Sequence, residues 1–465
     1  MSLTASATDF DPAHLHHIDL VDGQFHPGGT TADDLNRVFY NFQTSKKHYN
    51  HLCVFFHGGL VSRSEGLDTA SLLIGDYTNA HRYPFFFIWN SGPLDALNSG
   101  LLHALKNAMQ PYDNPPFAII VNYTFRMVAR KIKAALDNKR LRLPAGGRSL
   151  KQLATLARAY DQAWGKRAGA QLGCSQRELD QFARFIANAA DRMFKRTNLF
   201  GPKNPIARIL YRLNTGHDHG VYTTIIEELF IAAELAAIVR NKIWLPLVRS
   251  IYRSFESGST AGGTAFVHHL CNLLTNNPTL RVTLIGHSMG SIYVQRMIEA
   301  LDARLPEGSK VQLEVILLAA AISFARMNAT LSVLRKRVSG LRVFALNSKA
   351  ECYPEIPPIY DKSLLYIVSS LCENDQNADK PLVGMMHYWK GYWSGKRPYI
   401  RDPDIRAVIN FMGEREVWAP KTHAPPGWRS GIVPIYKGSR HGQFPKECFT
   451  RASVREILTN GFRPY

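Results

Sequence analysis

The stretch Arg281-Val282-Thr283-Leu284-Ile285-Gly286-His287-Ser288-Met289-Gly290 decides the fold of this chain. Its first five residues are mostly apolar and predict a buried strand, and residues 291–301 carry apolar side chains at helical spacing. A strand, Gly-x-Ser-x-Gly and a helix, in that order, are the features of a nucleophile elbow. The sequence therefore predicts Ser288 as a nucleophile on a sharp turn, with the amide of Met289 as one oxyanion donor.

Strands and helices alternate on both sides of this motif. Apolar runs at 51–56 and 83–89 are typical of buried parallel strands, and further strands are expected at 311–318, 341–346 and 432–436. A small hairpin is expected around Asp22-Gly23, and helices at 31–42, 60–79, 262–275 and 452–458. This alternation predicts an α/β fold: an open, mostly parallel sheet with helices on both faces.

The pattern of residues in the middle of the chain differs from that at its two ends. Residues 101–260 have little strand signal and much Ala, Leu, Arg and Lys at helical spacing. We interpret them as a helical cap inserted between an N-terminal part of the core, 1–100, and a C-terminal part, 261–465. The cap contains 25 Lys and Arg against 11 Asp and Glu, and so accounts for most of the net charge of +19. An anionic membrane surface is therefore a candidate partner, whereas nucleic acid is unlikely because few aromatic residues lie among these charges.

Composition limits the compartment and the cofactors. The first twenty residues contain three aspartates and no apolar core of a signal peptide, and no transmembrane segment is expected. Six scattered cysteines form no C-x-x-C pair and have no metal-ligand spacing, so neither a metal nor another cofactor is expected. A cytoplasmic protein, with peripheral membrane contact as a variant, is the expectation.

A serine nucleophile needs a histidine base and an acid that orients it. With a nucleophile elbow the order along the chain is serine, acid, histidine. His441, followed by Gly442, lies between the expected last strand and last helix and is the predicted base, with His387 as second choice. For the acid, Glu351 lies nearest the end of the strand at 341–346, and Asp361 is the alternative.

The second oxyanion donor is expected from the turn His57-Gly58-Gly59-Leu60, which directly follows an apolar strand. Gly58 and Gly59 allow the backbone to approach a substrate, and the amide of Gly59 or Leu60 is the expected donor.

These motifs together resemble the α/β-hydrolase superfamily, within it the serine esterases and lipase-like members. The resemblance is carried by His57-Gly58-Gly59-Leu60, Gly286-His287-Ser288-Met289-Gly290 and His441-Gly442. It implies hydrolysis of a carboxylic ester through an acyl-enzyme, with Ser288 as nucleophile and His441 as base. A thioesterase, amidase or acyltransferase using the same residues, or a non-catalytic basic binding protein, are the alternatives.

Overall fold

A computed structural model describes most of the chain outside the middle. The described residues are 16–45, 48–90, short stretches between 208 and 231, 235–258, 260–345, 362–373, 379–412, 417–418 and 441–462. Most of the expected cap, 101–260, lies outside these ranges.

One sheet of eight strands organises the described residues. The strands are β1 (His17–Val21), β2 (Gln24–Phe25), β3 (His51–Phe56), β4 (Tyr83–Asn90), β5 (Arg281–His287), β6 (Leu313–Leu318), β7 (Val338–Phe344) and β8 (Val417–Trp418). Their order across the sheet is β2-β1-β4-β3-β5-β6-β7-β8. All neighbours are parallel except β1 and β2, which are antiparallel. The expected open, mostly parallel α/β sheet is confirmed.

Helices follow most of the strands. They are α1 (Ala32–Thr44), α2 (Arg63–Asn79), α3 (Leu235–Val239), α4 (Leu245–Arg253), α5 (Gly262–Asn276), α6 (Gly290–Arg304), α7 (Phe324–Ala329), α8 (Leu331–Arg337), α9 (Leu364–Ile367), α10 (Met386–Trp393), α11 (Pro403–Met412) and α12 (Cys448–Asn460). A π-helical turn, Arg240–Trp244, joins α3 to α4, and 3₁₀ turns cover Tyr399–Arg401 and His441–Lys446.

Local sequence explains where several elements begin. Thr31 caps α1 through a capping box with Asp34, and Ser62 caps α2 in the same way with Glu65. Asp22 and Gly23 both have positive φ, 51° and 81°, which is the backbone of the tight turn that joins β1 to β2. These helices and the hairpin agree with the sequence prediction.

The core is densest around β3, β4 and β5. Every residue of β3 is buried, and so is every residue of β4 except the last. A continuous apolar run was the reason to expect central parallel strands there, since both faces of such strands are covered by helices. The described part of the core has Phe85, Phe266 and Tyr293 on one face of the sheet, and Phe55, Phe86 and Tyr77 on the other.

Two strand predictions differ from the structure. β7 begins at Val338, three residues before the expected start, where Val338 pairs with Leu313 of β6; within it, Gly340 leaves room for the ring of Phe462, whose Cδ2 would lie 2.7 Å from an added Cβ. The last described strand is the short β8 at 417–418, and the strand expected at 432–436 falls outside the described residues. Within the described ranges, no helix combines the length and the apolar character needed to cross a bilayer.

The packing at Gly290 gives a first prediction. A Cβ at this position would overlap the carbonyl oxygen of Phe56 in the neighbouring strand, and the backbone has no room to move. Gly290→Ala should therefore lower the free energy of unfolding by about 3 kcal/mol or more. Urea denaturation measures this directly.

The matched control is Gly75→Ala on the exposed side of α2, where an added Cβ meets nothing within 4 Å. Because alanine favours the helix, this variant should be as stable as the wild type or up to about 1 kcal/mol more stable. Equal stability of the two variants would contradict the packing at Gly290.

Candidate active site

Ser288 lies on a sharp turn at the carboxyl end of β5. Its φ is +51°, a left-handed conformation that costs a non-glycine residue on the order of 1–3 kcal/mol. The turn is possible because the strand and helix cross closely: a Cβ on Gly286 would lie 2.7 Å from the carbonyl oxygen of Gly290. The chain therefore has the backbone geometry expected of a nucleophile elbow at Ser288.

Hydrogen bonds hold this strained residue in place. The Ser288 amide donates to the carbonyl of Leu318 at 2.9 Å. The Ser288 carbonyl accepts from the amide of Ala321 at 2.9 Å, and from both the amide and the hydroxyl of Ser291 at 3.1 and 2.6 Å. One of these four hydrogen bonds holds the peptide unit before Ser288, and the other three hold the peptide unit after it. The surrounding structure thus offsets the free-energy cost of the left-handed conformation.

The turn His57-Gly58-Gly59-Leu60 lies directly against the elbow. A Cβ on Gly58 would be 3.4 Å from the Cβ of Ser288, and one on Gly59 would be 2.5 Å from the sulfur of Met289. The two segments predicted to supply oxyanion donors are thus neighbours. The amino end of α6, which begins at Gly290, adds its partial positive charge at the same place.

His57 fixes the shape of this turn and takes no part in proton transfer. Its Nδ1 donates to the carbonyl of Gly58 at 2.8 Å, and its Nε2 accepts from the amide of Trp89 at 3.0 Å. Burial lowers the pKa of His57 to about 4, despite the hydrogen bond to Gly58, so the imidazole is neutral at pH 7. The ring stacks on Trp89 with centroids 5.5 Å apart, and Gly66 in α2 leaves room for it.

A segment between β7 and β8 covers the other side of the elbow. Residues 381–385, here called the strap, run antiparallel to residues 319–324. The amides of Gly384 and Val383 donate to the carbonyls of Ala320 and Ile322, each at 2.9 Å. Since Ala321 bonds Ser288, the strap supports the elbow through one intervening layer of backbone.

The predicted base is described only through its backbone. His441 begins the 3₁₀ turn His441–Lys446, which packs against α2 and leads into α12. The Arg451 guanidinium contacts Leu72 and Asp76 of α2, and Arg82 bonds the carbonyl of Leu458, so α12 and α2 run in the same direction. The turn at 441 therefore lies against α2, the helix that follows the His57-to-Leu60 turn in the chain.

The remaining predicted residues divide in two groups. Glu351 and Asp361 both lie outside the described residues. His387, the second-choice base, is packed among Tyr366, Tyr388 and Tyr399, with its Nε2 3.2 Å from the Tyr399 hydroxyl. Burial lowers the pKa of His387 to about 3, with a further contribution from the His219 charge.

A buried charge cluster, which the sequence analysis did not predict, lies next to the strap. It joins the segment 208–228 to Asp379 and to α10. Its centre is His219, whose Nδ1 donates to Glu227 at 2.8 Å and whose Nε2 lies 2.8 Å from the Tyr388 hydroxyl. Asp379 accepts from His217 at 2.8 Å and from the Tyr399 hydroxyl at 3.0 Å.

The direction of the hydrogen bonds fixes the charge on His219. The Ser369 hydroxyl donates to the carbonyl of Lys380, so it must accept from the Tyr388 hydroxyl, 2.6 Å away. Tyr388 has then no proton left for His219, whose Nε2 must be the donor. Burial alone would lower the pKa of His219, but the charges and hydrogen bonds of Glu227 and Asp379 outweigh it and raise that pKa.

Opposite charges balance within the cluster. Arg212 bonds Glu227 at 2.7 Å and Glu228 at 3.1 Å, and Arg208 Nε lies 2.6 Å from Glu228 without pointing its N–H at it. Burial would raise the pKa of Asp379, but hydrogen bonds from His217 and His219 hold it well below its usual range. Because its cations and carboxylates are paired and mostly buried, the cluster holds the 208–228 segment against Asp379 and α10.

No group of three or more histidine, cysteine, aspartate or glutamate side chains within the described ranges is arranged to hold a metal ion. Protein-family models, curated proteins and solved structures were all compared with the chain, and none matches it. The geometry of the elbow and its surroundings is therefore the basis for inferring a function.

The neutral state of His57 predicts a pH dependence of stability. Between pH 7 and pH 5 the unfolded chain, with a histidine pKa of about 6.5, binds a proton at this residue. The folded protein, with a pKa of about 4, does not. Stability therefore falls as pH falls, and the wild type should lose about 2 kcal/mol more than His57→Gln over this range.

The measurement is urea denaturation of both proteins at pH 7 and pH 5. Glutamine is the comparison because its amide can still accept from Trp89 and cannot titrate. Parallel losses of stability in the two proteins would show that His57 is not held neutral.

The cluster gives a further prediction. Asp379→Asn removes a buried carboxylate but leaves its cationic neighbours buried, so it should lower the free energy of unfolding by about 3–5 kcal/mol. The control is Asp218→Asn nearby, whose half-exposed carboxylate lies 4.0 Å from the Lys396 amine. This variant should change stability by less than about 1 kcal/mol. Similar losses in both variants would contradict a special role for Asp379.

Proposed function

We propose that the chain is a serine hydrolase of the α/β-hydrolase type that cleaves carboxylic esters. One observation carries the proposal: Ser288 adopts the left-handed conformation of an elbow at the end of a central strand, with the Gly58-Gly59 turn packed against it. A serine that only filled the core would not need this strained backbone. The parallel strand order on both sides of β5 is compatible with the same assignment.

In the proposed reaction, Ser288 Oγ attacks the ester carbonyl carbon while His441 takes the hydroxyl proton. The amide of Met289 and that of Gly59 or Leu60 donate to the developing oxyanion, each worth about 3–4 kcal/mol. His441 then passes its proton to the leaving alcohol, and a water molecule activated by His441 releases the acid from Ser288. Glu351, or alternatively Asp361, orients and stabilises the imidazolium.

An ester is the proposed substrate class because its alcohol is a better leaving group than an amine. His441 would protonate the departing alcohol in the same way as the amine of an amide, so the amidase alternative would use the same residues. The neutral, fully bonded His57 leaves the 57–60 turn rigid, as donors that must be in place before the reaction should be.

The test uses p-nitrophenyl esters of several chain lengths and a fluorophosphonate probe. Ser288→Ala should lower kcat/KM by about 10⁴-fold or more and abolish labelling, because the nucleophile is lost. His441→Ala should lower kcat/KM to a similar degree, since residues of one catalytic unit are not additive. Mass spectrometry of the wild type should locate the phosphonate on Ser288.

The matched control is Ser64→Ala, an exposed serine in the first turn of α2 beside the same loop. It should retain both turnover and labelling. Full ester turnover by folded Ser288→Ala, or a label on another residue, would refute the proposal.

A further inference from the structure

The chain segment after the strap combines exposed apolar side chains with an excess of positive charge. Residues 380–401 contain five basic residues and no acidic one, although Asp379 and Asp402 lie immediately outside. Within it, Trp393 is 55% exposed and Ile400 is 37% exposed, although most large apolar residues in the described ranges are buried. Together with exposed Lys390, Arg397 and Arg401, these two form what we call the Trp393 surface.

This surface is built on a rigid turn. The end of α10 and the 3₁₀ turn Tyr399–Arg401 fold back on each other, with the Lys396 amide donating to Gly391 at 2.8 Å and the Ile400 amide to Lys396 at 3.1 Å. Gly391 has no side chain, so the buried ring of Tyr399 packs directly against its backbone. Arg406 in α11 donates to the carbonyl of Ile400 at 3.1 Å. Trp393 and Ile400 are therefore held outward on the two arms of one turn.

The charge around the turn is available to a partner. Of its cations, Lys396 has a partial counterion in Asp218 at 4.0 Å and also lies over the Tyr399 ring. Asp402 is occupied by the amides of Asp404 and Ile405 in capping α11. The balance on this surface remains positive.

We infer that the Trp393 surface binds the interface of an anionic phospholipid bilayer. Tryptophan prefers the head-group level of a membrane, where its ring is half immersed, and an aliphatic neighbour adds insertion into the acyl region. Lysine and arginine around them meet the negative surface potential of anionic lipids. The exposed chemistry of this turn matches both requirements at once.

A single-stranded nucleic acid fits the same surface less well. Such a partner needs successive aromatic rings on which bases stack. Here the other aromatic residues of the segment are buried or half-buried, and the hydroxyls of Tyr388 and Tyr399 are engaged in the charge cluster. Only Trp393 could stack a base, whereas one tryptophan beside one aliphatic residue is sufficient for a membrane interface.

The Trp393 surface is connected through the chain to the strap. Helix α10, eight residues and about 12 Å long, connects it to the strap that supports Ser288. Together with the proposed hydrolase function, on which this step rests, such binding would make esters in a membrane the substrates. The binding itself does not depend on that function.

The experiment is sedimentation with vesicles of phosphatidylcholine alone and with about 30% phosphatidylserine. The Ser288→Ala protein should bind the anionic vesicles preferentially, less so at high salt. Trp393→Ala should weaken this binding by about tenfold, and Arg397→Gln with Arg401→Gln should together weaken it by about 25-fold, roughly fivefold for each charge removed. Thermal unfolding checks that each variant is folded.

A second readout separates insertion from attraction to basic residues elsewhere in the chain. Lipids with brominated acyl chains should quench tryptophan fluorescence of the wild type, and Trp393→Ala should lose most of that quenching. The controls are Tyr40→Ala, which removes a 65% exposed tyrosine on α1, and Lys310→Gln, an exposed lysine before β6 at the opposite edge of the sheet. Neither should change binding or quenching.

The inference would be overturned if the protein did not bind anionic vesicles at low salt, or if Trp393→Ala kept full vesicle binding and full quenching. It would also be overturned if Trp393→Ala lost binding to a single-stranded oligonucleotide, measured in parallel, but kept its binding to vesicles. Turnover of a soluble p-nitrophenyl ester by Trp393→Ala should equal that of the wild type. Membrane binding without any ester turnover would refute the proposed function and leave this inference intact.

Discussion

The left-handed turn at Ser288 is the constraint on which the rest of the site depends. A serine adopts φ near +51° only where its neighbours hold it there, and glycines at 286 and 290 let strand and helix cross closely enough to do so. The carbonyl of Ser288 then needs donors, which Ala321 and Ser291 provide. The turn thus determines where the chain must run after β6, and through it where the strap must lie.

Segments distant in sequence converge on this turn because the sheet is parallel. The carboxyl ends of β3, β5 and β6 meet at one edge, so the loops that follow them are neighbours. The Gly58-Gly59 turn contacts Ser288 from one side, and residues 319–322 contact Ser288 from the other side. His57 adds rigidity without charge, since its low pKa keeps the imidazole beside this turn neutral.

Much of this arrangement could be read from local sequence, and the reasons are physical. The elbow, β3 and β4 were predictable because glycine spacing and continuous apolar runs are local signals. β8 has only two residues and therefore no periodicity to detect. The start of β7 was missed because Gly340 interrupts the apolar pattern, and the ring of Phe462 that packs against Gly340 is distant in sequence. The charge cluster was missed because His217 and Asp379 are 162 residues apart and only the fold brings them together. The His217-Asp218-His219 triplet, close to Glu227-Glu228 in a basic region, was the one local hint.

The charge cluster bears on how the basic character of the chain is distributed. Arg208, Arg212 and a protonated His219 balance Glu227, Glu228 and Asp379, so this interior does not account for the net charge of +19, a value that counts histidine as neutral. Most of the excess lies in residues 101–260, and the five basic residues of 380–401 contribute a smaller part. An apolar cluster of the same volume could be equally stable, but it would not fix one register between the 208–228 segment and the strap. Directional hydrogen bonds fix that register, and because the strap supports the turn at Ser288, the register of the cluster also affects the position of Ser288.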